Sequence, residues 1–328
     1  MITGDNRRVT RDLRSLPKAN LHLHLTGSMR PRTLAELAGR AGLAVPPPLP
    51  TGVTQGWEAF QSRYDAARAA VRTAEDVARL VREAIEDDLA DGAAWVEIQV
   101  DPTSYAERLG GEEAVVETVL AAAAGRAGVI LAASWAGTPE RAVRVATLAA
   151  RYADRGVVGF GLSNDERLGR VADFVPAFRV AAAAGLVSVP HGGFYEAAWH
   201  VRACVEQLGA ARVGHGVTAA ADPATVELLA HRAVALEICP TSYPPLGVAE
   251  LAALPIRALL AAGVPVALGT DDPLLFGHGL TAQYAIARDR LGLADAELAA
   301  LARHSITASA APEAHRRAML AAVDAWLS

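Results

Sequence analysis

Four histidines and two aspartates stand at or just after the ends of short apolar segments, where they could hold a metal ion. His22 and His24 form an H-x-H pair in "NLHLHL", and His191, His215 and the pair Asp271–Asp272 follow later segments. Because side chains alternate along a strand, both imidazoles of H-x-H project from the same face. Three histidines and a carboxylate, with one position left for water, suit Zn²⁺ or a similar divalent ion.

Eight short apolar runs, each followed by an alanine- and leucine-rich stretch, must position these residues. The runs are "NLHLHL" (20–25), "AWVEIQV" (94–100), "GVILAASW" (128–135), "GVVGFGLS" (156–163), "LVSVPH" (186–191), "ARVGHG" (211–216), "AVALEICP" (233–240) and "VPVALGTDD" (264–272). Strand-like runs that alternate with helical patterns predict parallel βαβ units. Eight units in 328 residues favour an α/β fold of the (β/α)8 TIM-barrel type. A doubly wound open sheet is the alternative.

The interval after the first run, residues 31–93, is much longer than the others. It has room for extra helices that cap the barrel mouth, and it includes the proline-rich stretch 44–56. Within it, residues 74–93 have apolar side chains at helical spacing and reach Gly92, which predicts a helix. No linker divides the chain, so we predict a single domain over 1–328 with a lid region at 31–93.

Taken singly, each candidate ligand has a simpler interpretation. A lone strand histidine is more often a core residue, and the aspartates of "TDDP" also suit a turn or a helix N-cap. A barrel enzyme, however, carries its chemistry at the carboxyl ends of its strands. The placement of all the candidates at such ends therefore favours a metal site.

Composition excludes several classes of function. The net charge is −5 with both signs interspersed, so the chain has no basic footprint for nucleic acid. The first residues lack the apolar core of a signal peptide, and no apolar run approaches membrane-spanning length. The two cysteines, Cys204 and Cys239, have no metal-motif spacing. We expect a cytoplasmic protein with a small-molecule substrate and no membrane or nucleic-acid partner; oligomeric state is not readable from the sequence.

Five motifs spread over almost the whole chain carry a family resemblance. They are "LPKANLHLHLTGSMRPRTL" (16–34), "HGG" (191–193), "LGAARVGHGV" (208–217), "LEICPTS" (236–242) and "TDDPLLF" (270–276). In order and approximate spacing they resemble the adenosine and adenine deaminase branch of the metal-dependent amidohydrolases. The resemblance implies a hydrolase that deaminates an adenine-like nucleoside, base or related amino-heterocycle with a metal-bound hydroxide.

The resemblance also implies roles for individual residues. The metal ligands, for one Zn²⁺ or another divalent ion, would be His22, His24, His191 and Asp271. His215 would orient the water, and Asp271 would also accept its proton. Asp272 would hydrogen-bond the substrate ring, and Gly27 would be the small residue that lets substrate approach.

Three positions depart from the family pattern near the expected substrate. Phe194 stands where the family has a glutamate that protonates the ring, and losing a positioned acid typically costs about 10²–10⁴-fold in rate. Asn164 stands where a glycine is usual. The glycine pair 192–193 is retained, and we expect Gly192 to lie against the substrate. Gln99, outside the motifs, replaces an expected arginine.

Three interpretations of Phe194 are open. In the first, ring deamination continues and Glu196 or Tyr195 supplies the acid. In the second, the metal chemistry acts on a different, pathway-specific substrate, with Phe194 as a flat apolar wall. In the third, the protein is a weak or inactive binder of a purine-like ligand.

The lid region offers candidate substrate walls. Trp57, Phe60 and Tyr64 recur at helical spacing and form a stripe on one face. The stripe suits either a flat substrate ring or ordinary core packing.

Overall fold

Eight parallel strands, wrapped by helices, form a nearly closed barrel. The structure is a computed structural model that describes residues 11–50 and 52–328. The first ten residues, which begin the segment without a signal-peptide pattern, and position 51 in the predicted lid region lie outside the described residues. The barrel confirms the predicted (β/α)8 class.

The strands pair in chain order around the barrel, each with the next. They are β1 Lys18–His24, β2 Ala93–Val100, β3 Gly128–Ser134, β4 Val157–Ser163, β5 Val187–Gly192, β6 Arg212–His215, β7 Ala235–Ile238 and β8 Val266–Leu268. Beyond β8 the chain returns to β1 through a parallel bridge between Leu23 and Asp271. The backbone N–H of Asp271 donates to the carbonyl of His22 at 2.9 Å, which brings the first and last strands together.

Helices follow the strands and cover the outside of the barrel. In the described residues they are α1 Pro31–Ala41, α2 Trp57–Ala70, α3 Ala74–Ala90, α4 Ala106–Leu109, α5 Glu112–Ala123, α6 Pro139–Arg151, α7 Val171–Ala183, α8 Ala198–Gln207, α9 Pro223–His231, α10 Tyr243–Leu246, α11 Ile256–Ala261, α12 Pro273–Phe276, α13 Leu280–Asp289, α14 Asp295–Ala308 and α15 Glu313–Leu327. Short 3₁₀ turns connect several of them.

The predicted lid region contains α1, α2 and α3. Helix α3 begins with a capping box, in which Thr73 and Asp76 each accept a hydrogen bond from the other's backbone N–H. It ends before Gly92, whose φ of 93° permits the turn into β2. The approach to α2 is attached to α10, because the N–H groups of Gln55 and Gly56 both donate to the carbonyl of Pro245.

The last predicted strand run is longer than the strand that forms. Residues 264–272 were expected to be extended throughout, but β8 covers only Val266–Leu268. The polar residues after it turn toward β1 instead, and Asp271 adopts a left-handed φ of 59°. The carboxyl end of β8 therefore delivers its aspartates across the barrel mouth.

No single helix among the described residues has the length and apolar character to cross a membrane. The segments Pro240–Leu246 and Leu251–Ala261 reach that length and character only as a pair, with a bend of 120° between them.

Candidate active site

Four predicted metal ligands meet at the carboxyl end of the barrel. The Nε2 atoms of His24 and His191 lie 3.2 Å apart, and Asp271 Oδ1 lies 3.4 Å from His24 Nε2 and 3.6 Å from His22 Nε2. One nitrogen from each of His22, His24 and His191 falls within 4.8 Å of the others. Strands β1 and β5 and the segment after β8 thus bring three imidazoles and a carboxylate to one point.

Buried charges behind the site fix the orientation of His22. Its Nδ1–H donates to Glu237 Oε2 at 2.9 Å, which leaves Nε2 with its lone pair facing the other ligands. Glu237 Oε1 lies 2.7 Å from Arg212 Nε, and Arg212 donates from Nη2 to Glu97 at 2.5 Å. All four side chains are buried. This chain of alternating charge makes Glu237, on β7, a supporting residue.

The electrostatics keep three of the histidines neutral. Burial lowers the pKa values of His24, His191 and His215, the last to about 3. Burial also opposes a charge on His22, but the nearby carboxylates of Asp271 and Glu237 outweigh it and raise the pKa of His22 to about 9. These carboxylates favour a cation at this position, whether a proton or a metal ion.

The donor set fits a divalent metal. His22 Nε2 has no hydrogen-bond partner among the described residues, although it is fully buried. The neutral imidazoles of His24 and His191 supply lone pairs, and the adjacent imidazoles of His22 and His24 hold the pKa of Asp271 well below its usual range despite burial. Cys239 Sγ also lies in this region, but burial and then Asp271 raise the pKa of its thiol, so it stays protonated. The structure thus fits His22, His24, His191 and Asp271 as the ligand set.

His215 and Asp272 flank this group and both line the cavity in front of it. Burial and the adjacent Asp271 raise the pKa of Asp272 well above its usual range, so the two neighbouring carboxyls are held in opposite states. A Cβ built on Gly27 would lie 1.7 Å from Asp272 Oδ1. Gly27 was expected to make room for substrate; in the structure its missing side chain makes room for the Asp272 carboxyl.

Three site residues have left-handed backbones that only glycine adopts freely. These are Asn164, His215 and Asp271, with φ of 75°, 68° and 59°. Each such conformation costs on the order of 1–3 kcal/mol and persists only where its surroundings enforce it. All three follow or end barrel strands, so backbone strain is concentrated at the mouth.

Phe194 occupies the cavity wall beside His215. Its ring centroid lies 4.5 Å from that of His215 and 5.7 Å from that of Tyr243, and only 7% of the residue is exposed. Gly193, with φ of 67°, makes the turn that precedes it; a Cβ there would lie 2.3 Å from Val201 Cγ2. The loop after β5 therefore presents an apolar ring where an acid was expected.

A buried carboxyl holds this loop from behind. Glu166 Oε1 accepts the backbone N–H groups of Phe194, Tyr195 and Glu196 at 2.8, 2.7 and 2.6 Å. Its Oε2 lies 3.5 Å from His200 Nδ1. Burial raises the pKa of Glu166 to about 7, even though the three N–H groups favour the ionised form. Nothing in the sequence predicted this contact, because residues 166 and 194 are distant in the chain and come together only when the barrel folds.

Two predicted site residues face elsewhere. The described residues that line the cavity do not include Glu196, whose backbone N–H and carbonyl bond Glu166 and Thr218. Gly192 is also absent from the lining; a Cβ there would meet Cys204 Sγ and His200 Nδ1, each at 3.1 Å. The packing of α8 thus favours a small residue at position 192.

The aromatic stripe of the lid faces the cavity. Trp57, Phe60 and Tyr64 of α2 all line it, together with Asn164 from the end of β4. Phe60 stacks on Phe276 of α12, with centroids 5.5 Å apart and planes within 2°. The cavity, about 850 Å³ when counted to its open mouth, thus has one flat aromatic side.

Sequence reasoning missed most of the polar side of the cavity. It is lined by Thr26, Arg68, Gln99, Asp101, Ser104, Tyr105, Ser134 and Ser163. Thr26 and Tyr105 share a hydrogen bond between their hydroxyls at 2.5 Å, and Arg68 donates to Ser104 at 2.9 Å. Asp101 directly follows β2, and Ser134 and Ser163 are the last residues of β3 and β4, so their position at the end of a strand was the signal that was available.

Comparison with known proteins gives matches over nearly the whole chain. The family model described as "Adenosine deaminase" matches residues 17–326. A putative adenosine/adenine deaminase of Streptomyces coelicolor is 52% identical, covering 97% of this chain and 98% of its own. An aminodeoxyfutalosine deaminase of the same organism is 36% identical, covering 92% and 83%. Among solved structures, adenine deaminase from Arthrobacter aurescens superposes with a TM-score of 0.86 at 27% identity, covering 95% and 99%.

Proposed function

Because this chain belongs to the adenosine deaminase family, we propose that it is a metal-dependent hydrolase that removes the amino group of an adenine-like base, nucleoside or related amino-heterocycle. The observation that carries the proposal is the meeting of His22, His24, His191 and Asp271 in front of a cavity with an aromatic side. The relatives bear the names of different deaminases, so the family does not select one substrate.

The ligand set favours zinc. Three imidazoles and one carboxylate are a usual donor set for Zn²⁺, with a further position open to water. Such an ion, when bound, supplies a Lewis acid and lowers the pKa of a water molecule toward about 7. Glu237 and Arg212 hold the His22 ring in place from behind, so the ligand geometry is set before metal arrives.

The remaining residues have roles at the substrate. His215 is neutral and lines the cavity beside Asp271, where its imidazole can orient a water molecule by a hydrogen bond, while Asp271 can accept the proton of that water. Asp272 extends into the space left by Gly27 and can bind a ring nitrogen. Trp57, Phe60 and Phe194 enclose a flat ring and exclude water from it.

A second candidate follows from Phe194. A buried phenylalanine beside His215 cannot donate a proton, and Glu196 is not part of the cavity wall. A substrate whose electrophilic carbon needs no proton on a neighbouring nitrogen would suit this pocket, and the reaction would then be another metal-dependent hydrolysis. A site that binds purine-like ligands without turnover is the remaining alternative.

Ultraviolet spectra test the proposal directly. Adenine and adenosine incubated with zinc-loaded protein should show the shift from amino- to oxopurine, with release of one ammonia per turnover. A His191→Asn variant is the control, because it removes a ligand from the cavity. If neither the shift nor ammonia is seen with adenine, adenosine and related aminopurines, the deaminase proposal fails for them. Another metal-dependent hydrolysis, or binding without turnover, would then remain.

We also propose a cytoplasmic location. Both cysteines are buried free thiols, which suits a reducing compartment.

A further inference from the structure

Gln99 is a buried amide whose side chain is unpaired and faces the cavity. It lies on β2 beside His24 of β1 and Ile130 of β3, and only 2% of it is exposed. Its backbone carbonyl accepts the N–H of Leu25 at 3.0 Å. Neither Nε2 nor Oε1 of the side chain has a hydrogen-bond partner among the described residues. The polar groups of Gln99 that lack a hydrogen-bond partner are therefore those of its side chain.

A second buried glutamine shows what the fold does with an amide that serves structure. Gln283 of α13 is fully buried, donates from Nε2 to Thr241 Oγ1 at 2.9 Å and accepts the Thr241 N–H at 3.3 Å. A buried amide without partners destabilises a protein, whereas a bonded one does not. From this contrast, and from its place in the cavity wall, we infer that Gln99 is a specificity-determining residue that hydrogen-bonds the substrate.

The chemistry of Gln99 limits the group that it binds. A primary amide offers an acceptor oxygen and an N–H₂ donor side by side in one plane. Because the amide is neutral, it cannot offset the cost of burying a charged group. The cation nearby, Arg68, is already engaged by Asp65 and Ser104. Gln99 therefore fits an uncharged part of the substrate with a donor and an acceptor close together, such as a ring-nitrogen edge or a hydroxyl.

This inference rests on the proposed function. Measuring each enzyme variant with each substrate analogue separates a failure of the Gln99 role from a failure of the deaminase proposal. The variant is Gln99→Met, which keeps the side-chain length and removes both polar atoms. The control is Gln283→Met, which removes an amide whose partners are all in the protein. The substrates are adenine, adenosine, 2′-deoxyadenosine, 3-deazaadenosine and 7-deazaadenosine, each of the last three lacking one polar atom.

Gln99→Met should lower kcat/KM by about 10- to 100-fold for the parent compound, the range expected for a lost buried hydrogen bond to substrate. For the analogue that lacks the contacted atom, wild type and variant should agree within about 3-fold. Thermal unfolding should show that Gln99→Met is at least as stable as wild type, because the substitution removes a buried amide that has no hydrogen-bond partner in the protein. Gln283→Met should instead be less stable than wild type, and any change in its kcat/KM should be the same for every substrate.

Equal loss for every substrate, no loss, or a destabilised Gln99→Met variant would overturn the specificity role while leaving the deaminase proposal intact. If wild type converts none of the five compounds, the deaminase proposal fails for them, and calorimetric binding of the same compounds decides on Gln99. Binding of one compound at least 10-fold tighter by wild type than by Gln99→Met would support the role. Equal binding, or none, would overturn it.

Discussion

The ring of Phe194 lies 4.5 Å from the ring of His215, centroid to centroid, in the wall of the cavity that faces the predicted metal ligands. A residue with no exchangeable proton thus packs against the histidine proposed to orient the water. Because Glu166 holds the backbone of residues 194–196 through three hydrogen bonds, the loop is fixed with Phe194 toward the cavity. The predicted metal ligands are thus brought together, while the position expected to carry the acid is held as an apolar wall.

Installing an acid at position 194 should increase deamination of adenine or adenosine. We expect Phe194→Glu to raise the rate by about 10² or more, the usual contribution of a positioned acid. Phe194→Leu, which adds no proton donor, should give no such gain. Glu196→Gln should stay within about 3-fold of wild type, since that side chain is not in the cavity wall. Ultraviolet rates for the three variants check this; loss of activity in Glu196→Gln with no gain in Phe194→Glu would show that Glu196 is the acid.

Adding one methyl group at Gly27 should displace Asp272. The Cβ of Gly27→Ala would lie 1.7 Å from Asp272 Oδ1, so the carboxyl must leave its place. We expect kcat/KM to fall by about 100-fold or more while bound metal, measured by mass spectrometry, is retained. Gly39→Ala in α1 is the matched control, because no atom lies within 4 Å of its Cβ. That change should stabilise the helix by about 0.5–1 kcal/mol. Full activity in Gly27→Ala would contradict the role of Asp272.

Removing an aromatic side chain of the lid should weaken substrate binding. Trp57 packs against Phe60 and Tyr195 and lines the cavity. Trp57→Ala should raise KM by about 10-fold, because a ring of this size contributes substantially to the burial of a flat ligand. The exposed Trp199 provides the control, and Trp199→Ala should leave KM unchanged. Steady-state kinetics check the pair; an unchanged KM for Trp57→Ala would mean that the stripe serves packing alone.

Stability should depend on pH through Glu166. Burial raises its folded-state pKa from 4.5 to about 7, so its protonated form is favoured in the folded protein. Its stabilising contribution is therefore complete below about pH 4.5 and is lost as the pH rises through about 7. The neighbouring His200, whose pKa burial lowers to about 4, stays neutral over the upper part of this range.

Glu166→Gln keeps an oxygen for the three N–H groups and cannot ionise. Urea unfolding at pH 5 and pH 8 should show that the free energy of unfolding falls less between these pH values for this variant than for wild type. Glu206→Gln, at an exposed position of α8, should retain the wild-type pH dependence. Identical pH dependence in all three proteins would mean that Glu166 does not titrate in this window.

The sequence predicted the barrel because each strand is a local apolar run, and the period of such runs can be read without the fold. It pointed to candidate ligands because they stand at the ends of those runs, and the family resemblance proposed which four of them bind the metal. It could not predict that Glu166 would cap the loop of Phe194, or that Gly27 makes room for Asp272, since both contacts join distant residues. The sequence likewise could not show that the Gln99 amide lacks hydrogen-bond partners, because only the packing shows which buried polar groups are unpaired.

Metal content tests the central proposal most directly. Purified protein, analysed by inductively coupled plasma mass spectrometry after dialysis against metal-free buffer, should retain one divalent ion per chain, and we expect zinc. His191→Asn, folded as judged by circular dichroism, should retain much less. Folded wild-type protein that binds no stoichiometric divalent metal, even after incubation with Zn²⁺, would contradict the assignment of His22, His24, His191 and Asp271 as ligands and the hydrolytic function built on them.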